Sequence, residues 1–103
     1  MMTALTQDQK DRLDAKAFRR LLSHLDANKD VQNIDLMILA DFCRNCLGDW
    51  YLEAALDEGL TMTKAEARER VYGMPQADWK EKFQTPATEE QLAAFNARTK
   101  GGC

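Results

Sequence analysis

The segment from Ile34 to Leu47 constrains the fold more than any other part of this chain. It reads IDLMILADFCRNCL, and its polar members are Asp35, Asp41, Arg44 and Asn45. At 100° per residue, apolar side chains cover most of such a helix, and a helix of this kind is buried on nearly all sides. We therefore expect residues 34–47 to form the central helix of a bundle, with Asn33 as its N-cap and Gly48 at its end.

The rest of the chain is also predicted to be helical, because apolar residues recur every three or four positions. No segment alternates between apolar and polar residues for long enough to indicate a strand. Capping boxes mark three helix starts, at Thr6, Thr63 and Thr88. We expect helices over residues 6–25, 50–58, 64–72, 75–83 and 89–98, the second and third of these ending before Gly59 and Gly73. The predicted fold is a single all-α domain over residues 1–103, a bundle of five to six short helices around residues 34–47, with residues 1–5 and 99–103 as flexible tails.

Charge and hydropathy exclude two classes of partner. The 103 residues carry a net charge of −3, which provides no electrostatic surface for nucleic acid or an anionic membrane. The longest unbroken apolar run, Leu36–Ala40, is far shorter than the ~20 residues that span a bilayer. Residues 1–10 lack the apolar core of a secretory signal. We expect a cytoplasmic protein that binds neither nucleic acid nor membrane.

Cys43 and Cys46 form a Cys-Arg-Asn-Cys motif, for which three interpretations stay open. They are buried thiols on the central helix, or zinc ligands together with His24, or a redox pair. The redox interpretation is disfavoured because both lie in the last turns of the expected helix, where the helix dipole opposes a thiolate. The terminal Cys103 is expected to be a free surface thiol.

Asp41, Arg44 and Asn45 are expected on one side of the central helix, where Asp41 and Arg44 pair at i,i+3. This polar strip is either an internal ion pair or, together with Trp50 and Tyr51, a surface for a ligand or a protein partner. Catalysis is not indicated: Ser23 and His24 are adjacent on a helix, so their side chains diverge by about 100° and form no dyad.

Several longer motifs resemble a known family. They are FRRLLSHL (18–25), DVQNIDLM (30–37), FCRNCL (42–47), WY (50–51), EARE (66–69) and VYGMP (71–75). Together they are similar to short, mainly proteobacterial helical proteins of unknown function, over residues 13–95. The resemblance implies a stand-alone helical fold in a bacterial cytoplasm and assigns no catalytic residues.

Two hypotheses about function follow. The first is a non-enzymatic protein that acts by binding, as a homodimer whose second copy covers the apolar surface that short helices leave open, and with a further protein partner not identified by the sequence. The second is a small zinc protein that uses Cys43, Cys46 and His24.

Overall fold

The computed structural model of this chain describes residues 4–98. That part is all-helical, which confirms the predicted fold class. Its helices are α1 (Gln7–Asp26), α2 (Asn33–Ala40), α3 (Arg44–Asp57), α4 (Lys64–Tyr72), α5 (Gln76–Phe83) and α6 (Glu89–Asn96). None of these helices is both long and apolar enough to cross a lipid bilayer. The expectations for residues 1–3, for the tail 99–103 and for Cys103 lie outside the described residues.

The predicted capping boxes are confirmed. The hydroxyls of Thr6, Thr63 and Thr88 each accept a hydrogen bond from the backbone N–H three residues on, at 3.1 Å. In each box the Gln or Glu side chain accepts the Thr N–H in return. The predicted stops at Gly59 and Gly73 are also present, with φ of 77° and 75°, because glycine enters this left-handed region without steric cost.

The single central helix predicted over residues 34–47 is wrong. Helix α2 ends at Ala40, Asp41 adopts a left-handed conformation (φ 59°, ψ 30°), and α3 begins at Arg44. Asp is one of the few residues that tolerates this conformation, and the Asp41 N–H still donates to Met37 O at 3.0 Å. Helical periodicity continues across the break, so the sequence pattern concealed it.

The N-cap and the end assigned to that helix are corrected as well. Gln32, not Asn33, is the N-cap of α2. Gly48 lies inside α3, where a Cβ would come within 2.9 Å of Arg68 Cγ and 3.3 Å of Arg68 Cα. The glycine is there because α4 passes close to α3, and the helix predicted over 50–58 is the second half of α3.

The core is centred on the start of α3 and not on α2. Leu22, Leu25, Leu47 and Val71 form the buried apolar cluster. Helix α2 has no fully buried residue, and the side chain of Leu39 is 83% exposed. The break at Asp41 lets α2 pack mainly against α6 while α3 packs against α4, which places the first half of the apolar segment at the periphery.

Candidate functional site

The Cys-Arg-Asn-Cys motif opens α3. Cys43 is the N-cap of this helix and Cys46 lies in its first turn. The expectation that both cysteines lie in the last turns of a helix is therefore wrong, because the chain breaks at Asp41 and starts a new helix. A helix N-terminus favours negative charge, and it is where reactive Cys-x-x-Cys pairs are found. The dipole argument against redox chemistry is thus removed.

The two cysteines differ in state although they are neighbours. Cys43 is a free thiol, whereas Cys46 is disulfide-bonded. Their Sγ atoms are 3.9 Å apart, and the residues are only 7% and 2% exposed. The motif is therefore buried as the first interpretation expected, but it is not a pair of equivalent thiols.

The zinc set proposed from the sequence is not assembled. His24 is exposed in the last turn of α1, and no group of three or more His, Cys, Asp or Glu side chains within residues 4–98 is placed to hold a metal ion. A sulfur engaged in a disulfide is also not available as a thiolate ligand.

Arg44, the charged residue of the motif, is buried, with 2% of its surface exposed. Its Nη1 donates to Val31 O at 2.8 Å and to Asn33 Oδ1 at 3.0 Å, and its Nη2 donates to Asn28 O at 3.2 Å. The guanidinium also lies 4.7 Å from the centre of the Trp79 ring. Burial lowers the pKa of Arg44 from its ordinary value, while carbonyl oxygens and the ring supply the compensating negative potential.

The predicted Asp41–Arg44 ion pair does not form. Asp41 Oδ1 instead accepts a hydrogen bond from Arg98 Nη1 at 2.6 Å. Because Asp41 caps α2 and Arg44 opens α3, the i,i+3 geometry of a continuous helix does not apply to them. The Asp41–Arg98 ion pair connects the end of α2 to the residue two positions after α6.

A chain of hydrogen bonds continues from Arg44 across four helices. Asn33 Nδ2 donates to Tyr72 Oη at 3.0 Å, and Tyr72 Oη donates to Asn45 Oδ1 at 2.6 Å. Gln76 Nε2 donates to the same Asn45 oxygen at 3.2 Å, and Gln76 Oε1 accepts from Arg68 Nη1 at 2.8 Å. Burial raises the pKa of Tyr72. We call Asn33, Arg44, Asn45, Tyr72 and Gln76 the polar network.

Gln32 adds a second buried polar contact, between α2 and the segment that joins α5 to α6. Its Nε2 donates to Phe83 O at 3.0 Å and its Oε1 accepts from the Thr85 N–H at 2.9 Å. The carboxamide thus pairs with one backbone acceptor and one backbone donor at the same time. This fixes the path of the chain after α5.

The five residues predicted as a ligand or partner surface occupy four environments. Arg44 and Asn45 belong to the polar network, and Asp41 is bonded to Arg98. Trp50 is 48% exposed and stacks on Phe42, with ring centres 6.1 Å apart. Tyr51 is half-buried and stacks on Phe18 at 6.4 Å. A functional role for these residues stays a prediction, and Trp50 is the one with the most open ring.

Sequence reasoning missed Asn33, Tyr72 and Gln76 as partners of the buried motif. One signal was present: an arginine in an apolar segment needs oxygen acceptors when it is buried. Asn33 stands immediately before that segment, and its amide oxygen is one of the acceptors of Arg44. Tyr72 and Gln76 come from distant helices, and no local pattern connects them to Arg44.

The fold and the site together define a small all-helical protein whose centre contains a polar network around one arginine. The chain belongs to the family described as a protein of unknown function (DUF1244), whose model matches residues 31–97. That range starts after α1 and contains all five residues of the polar network. No curated protein matches the chain. The proteobacterial range and the cytoplasmic setting stay predictions.

Proposed function

We propose that the protein acts by binding protein chains, and that its first partner is a second copy of itself, held through α1. The observation that supports this is the exposure of α1. Only Leu22 and Leu25 are buried in its 20 residues, and both lie near its end. Residues 7–14 are exposed throughout.

An isolated helix of this kind is marginally stable in water, because most helix stability in proteins comes from packing one apolar face. Helix α1 is about 30 Å long, and only its second half packs on the rest of the fold. The radius of gyration of 15.9 Å exceeds the ~13 Å of a compact domain of this size. A partner along the first half of α1 would provide the missing contacts.

The exposed apolar residues of α1 form a stripe with a four-residue spacing. Leu13 is 51% exposed and Leu21 is 36% exposed, with the exposed Ala17 between them. Leu5, Gln9 and Leu13 line one groove that extends the stripe toward the start of the chain. Residues four apart share a helix face, so this stripe is a second face beside the one that contains the buried Leu22 and Leu25.

The charges of α1 favour a second copy in antiparallel orientation. Residues 7–14 contain Asp8, Asp11 and Asp14 together with Lys10 and Arg12, a net charge of −1, whereas residues 15–20 contain Lys16, Arg19 and Arg20, a net charge of +3. If two copies cross at Ala17, Leu13 of each copy faces Leu21 of the other, and Asp14 faces Arg20. The small side chain at the crossing permits close approach of the two backbones, and the interface is two-fold symmetric.

Sedimentation equilibrium of the full chain tests this proposal. At about 50 µM, we expect a mass of twice the chain's 11.7 kDa, because a specific interface of micromolar affinity is saturated there. Ala17→Glu places two like charges at the crossing and is expected to weaken dimerisation at least about tenfold. The matched control is Arg19→Glu, an exposed position on the opposite side of α1, which retains the dimer. A wild-type monomer at this concentration would refute the proposal.

A charge exchange then tests the antiparallel register. Asp14→Arg and Arg20→Asp each place like charges opposite one another and are expected to shift the equilibrium toward monomer. The double variant restores opposite charges and is expected to recover most of the dimer. If the loss of dimerisation free energy in the double variant equals the sum of the losses in the two single variants, the copies do not meet in this register.

A further inference from the structure

A cleft with a positively charged lining lies between the second half of α1 and the end of α4. Its volume is about 430 Å³. The charged residues that line it are Arg19, Asp26, Lys29 and Arg70. We propose that this cleft binds a phosphate dianion, either free phosphate or the phosphate group of a small organic molecule.

One positive charge in the cleft is compensated within the protein. Lys29 Nζ lies 2.8 Å from Asp26 Oδ1 and also donates to Asp26 O at 2.8 Å. Arg19 and Arg70 have no such partner, because among the described residues neither guanidinium forms an ion pair or a hydrogen bond. The lining therefore has two uncompensated positive charges, although the whole chain has a net charge of −3. A phosphate group contributes close to two negative charges at neutral pH.

Arg70 also lines a second cleft, which contains Glu66 and Glu69. Glu66 Oε1 accepts the Thr63 N–H in the capping box of α4. Within residues 4–98, no ion pair joins Arg70 to either carboxylate. Arg70 lies in the last turn of α4, where the helix dipole favours a cation. That interaction stabilises the charge but leaves the N–H donors of the guanidinium available to a ligand.

The donors in the cleft suit a phosphate group. A guanidinium is planar and donates two parallel hydrogen bonds to phosphate oxygens. Ser23 follows Arg19 by four residues, on the same face of α1, and adds a hydroxyl donor to the lining. Leu22, Val71 and Met74 form an apolar wall. The volume falls within the range of about 300–1,000 Å³ that is usual for small-molecule sites, so an organic group attached to the phosphate also fits.

Amide NMR spectra of the isotope-labelled full chain test this proposal, with inorganic phosphate, phenyl phosphate and acetate titrated separately. The ionic strength is held at about 0.1 M, where attraction between exposed charges more than about 10 Å apart is screened. We expect the amide signals of residues 19–26 and 70–74 to shift and saturate, with a Kd of about 1 mM or lower for a phosphate ligand. Acetate has a single negative charge and is expected to bind at least about tenfold more weakly.

The two phosphate ligands distinguish the two sources of the dianion. If phenyl phosphate binds at least about threefold more tightly than inorganic phosphate, the site favours a phosphorylated organic molecule, because the ring then contacts the apolar wall. Equal affinities indicate free phosphate. Both results support the proposed site, since the shifted amides report where the ligand binds.

Variants of the two arginines test which side chains bind the phosphate. Arg19→Gln and Arg70→Gln each remove one uncompensated charge, and each is expected to weaken phosphate binding at least about tenfold. Arg70→Lys retains the charge but not the planar fork, so it is expected to recover part of the affinity. The matched control is Lys80→Gln, which removes an exposed cation of α5 outside the cleft. Its affinity for phosphate is expected to stay within about twofold of wild type.

Two results would overturn the proposal. One is a titration in which neither phosphate ligand produces saturating shifts at the cleft. The other is equal phosphate affinity in Arg70→Gln and Lys80→Gln, which would mean that Arg70 serves the dipole of α4 and not a ligand. The result is separate from that of the dimer test, because Leu13, Ala17 and Leu21 do not line the cleft. Ala17→Glu is therefore expected to bind phosphate as wild type does.

Discussion

Helices α1 and α3 contain similar residue types but differ in how many of their residues are buried. Helix α3 buries five of its 14 residues, including Arg44. Helix α1 buries two of 20, although its stripe of apolar residues is longer. The comparison shows that burial depends on which surfaces meet a helix and not on its own apolar content. Three helices supply partners to the start of α3, whereas the first half of α1 meets none within residues 4–98.

The two regions also differ in what holds them. The start of α3 is fixed by directional hydrogen bonds: Arg44 donates to α2, and Asn45 Oδ1 accepts from α4 and α5. The end of α1 is held by apolar contacts of Leu22 and Leu25. Hydrogen bonds specify one arrangement of the groups that they join. Leaving a buried polar group unpaired lowers the free energy of unfolding more than losing an apolar contact at an exposed site. Substitutions in the two regions should therefore have very different consequences.

The largest effect is expected for Arg44→Met. Methionine fills a similar volume but removes the Arg44 donor from Val31 O and Asn33 Oδ1 and one of two donors from Asn28 O, which keeps the Val31 N–H. It also removes the contact with Trp79. We expect a loss of about 3 kcal/mol in the free energy of unfolding, measured by urea denaturation.

Two further variants separate the causes of this loss. Arg44→Lys retains the charge but not the planar fork, so a loss of about 1–2 kcal/mol is expected. Arg12→Met, on the exposed half of α1, should change stability by no more than about 0.5 kcal/mol. Because some buried charges can be replaced by apolar groups at no cost, an Arg44→Met protein as stable as wild type would show that the polar network does not stabilise the core.

A smaller, pH-dependent effect is expected for Tyr72→Phe. Near neutral pH, loss of the hydroxyl deprives Asn33 Nδ2 and Asn45 Oδ1 of a partner and should cost about 1–2 kcal/mol. Burial raises the pKa of Tyr72 in the folded protein. The stabilisation that follows from a raised pKa is present below the unfolded value of about 10 and is lost as pH rises through the folded value.

The stability difference between wild type and Tyr72→Phe should therefore shrink as pH rises above the unfolded value of about 10. Urea denaturation at several pH values measures it. Tyr51→Phe is the control, because it leaves Tyr72 in place and should retain the alkaline loss of stability. A difference that stays constant over this range would mean that Tyr72 does not titrate differently in the folded and unfolded states.

Much of the secondary structure could be predicted from the sequence because its signals are local. A threonine hydroxyl and a Gln or Glu three residues later determine a helix start within one turn, as at Thr6, Thr63 and Thr88. Glycine at a left-handed stop is similarly local, as at Gly59 and Gly73. Asp41 was missed because its left-handed conformation costs only about 1–2 kcal/mol, which its contact with Arg98 can offset, and Arg98 is 57 residues away.

The site was less predictable than the helices. Cys43 and Cys46 were correctly identified as neighbours, but the break at Asp41 moved them from a helix end to a helix start and reversed the sign of the helix dipole at the sulfurs. Arg44 was correctly noticed as a polar residue in an apolar segment. Two of its three acceptors are backbone carbonyls of the α1–α2 connection, and sequence patterns do not report where carbonyl oxygens point.

Amide hydrogen exchange at two protein concentrations tests the central claim most directly, namely that α1 depends on a second copy while the core does not. Between about 1 µM and 100 µM, we expect protection of amides in residues 7–17 to increase at least about tenfold, because association stabilises only the helix at the interface. Amides of α3 around Leu47 should show the same protection at both concentrations. Concentration-independent protection along the whole of α1 would contradict the account.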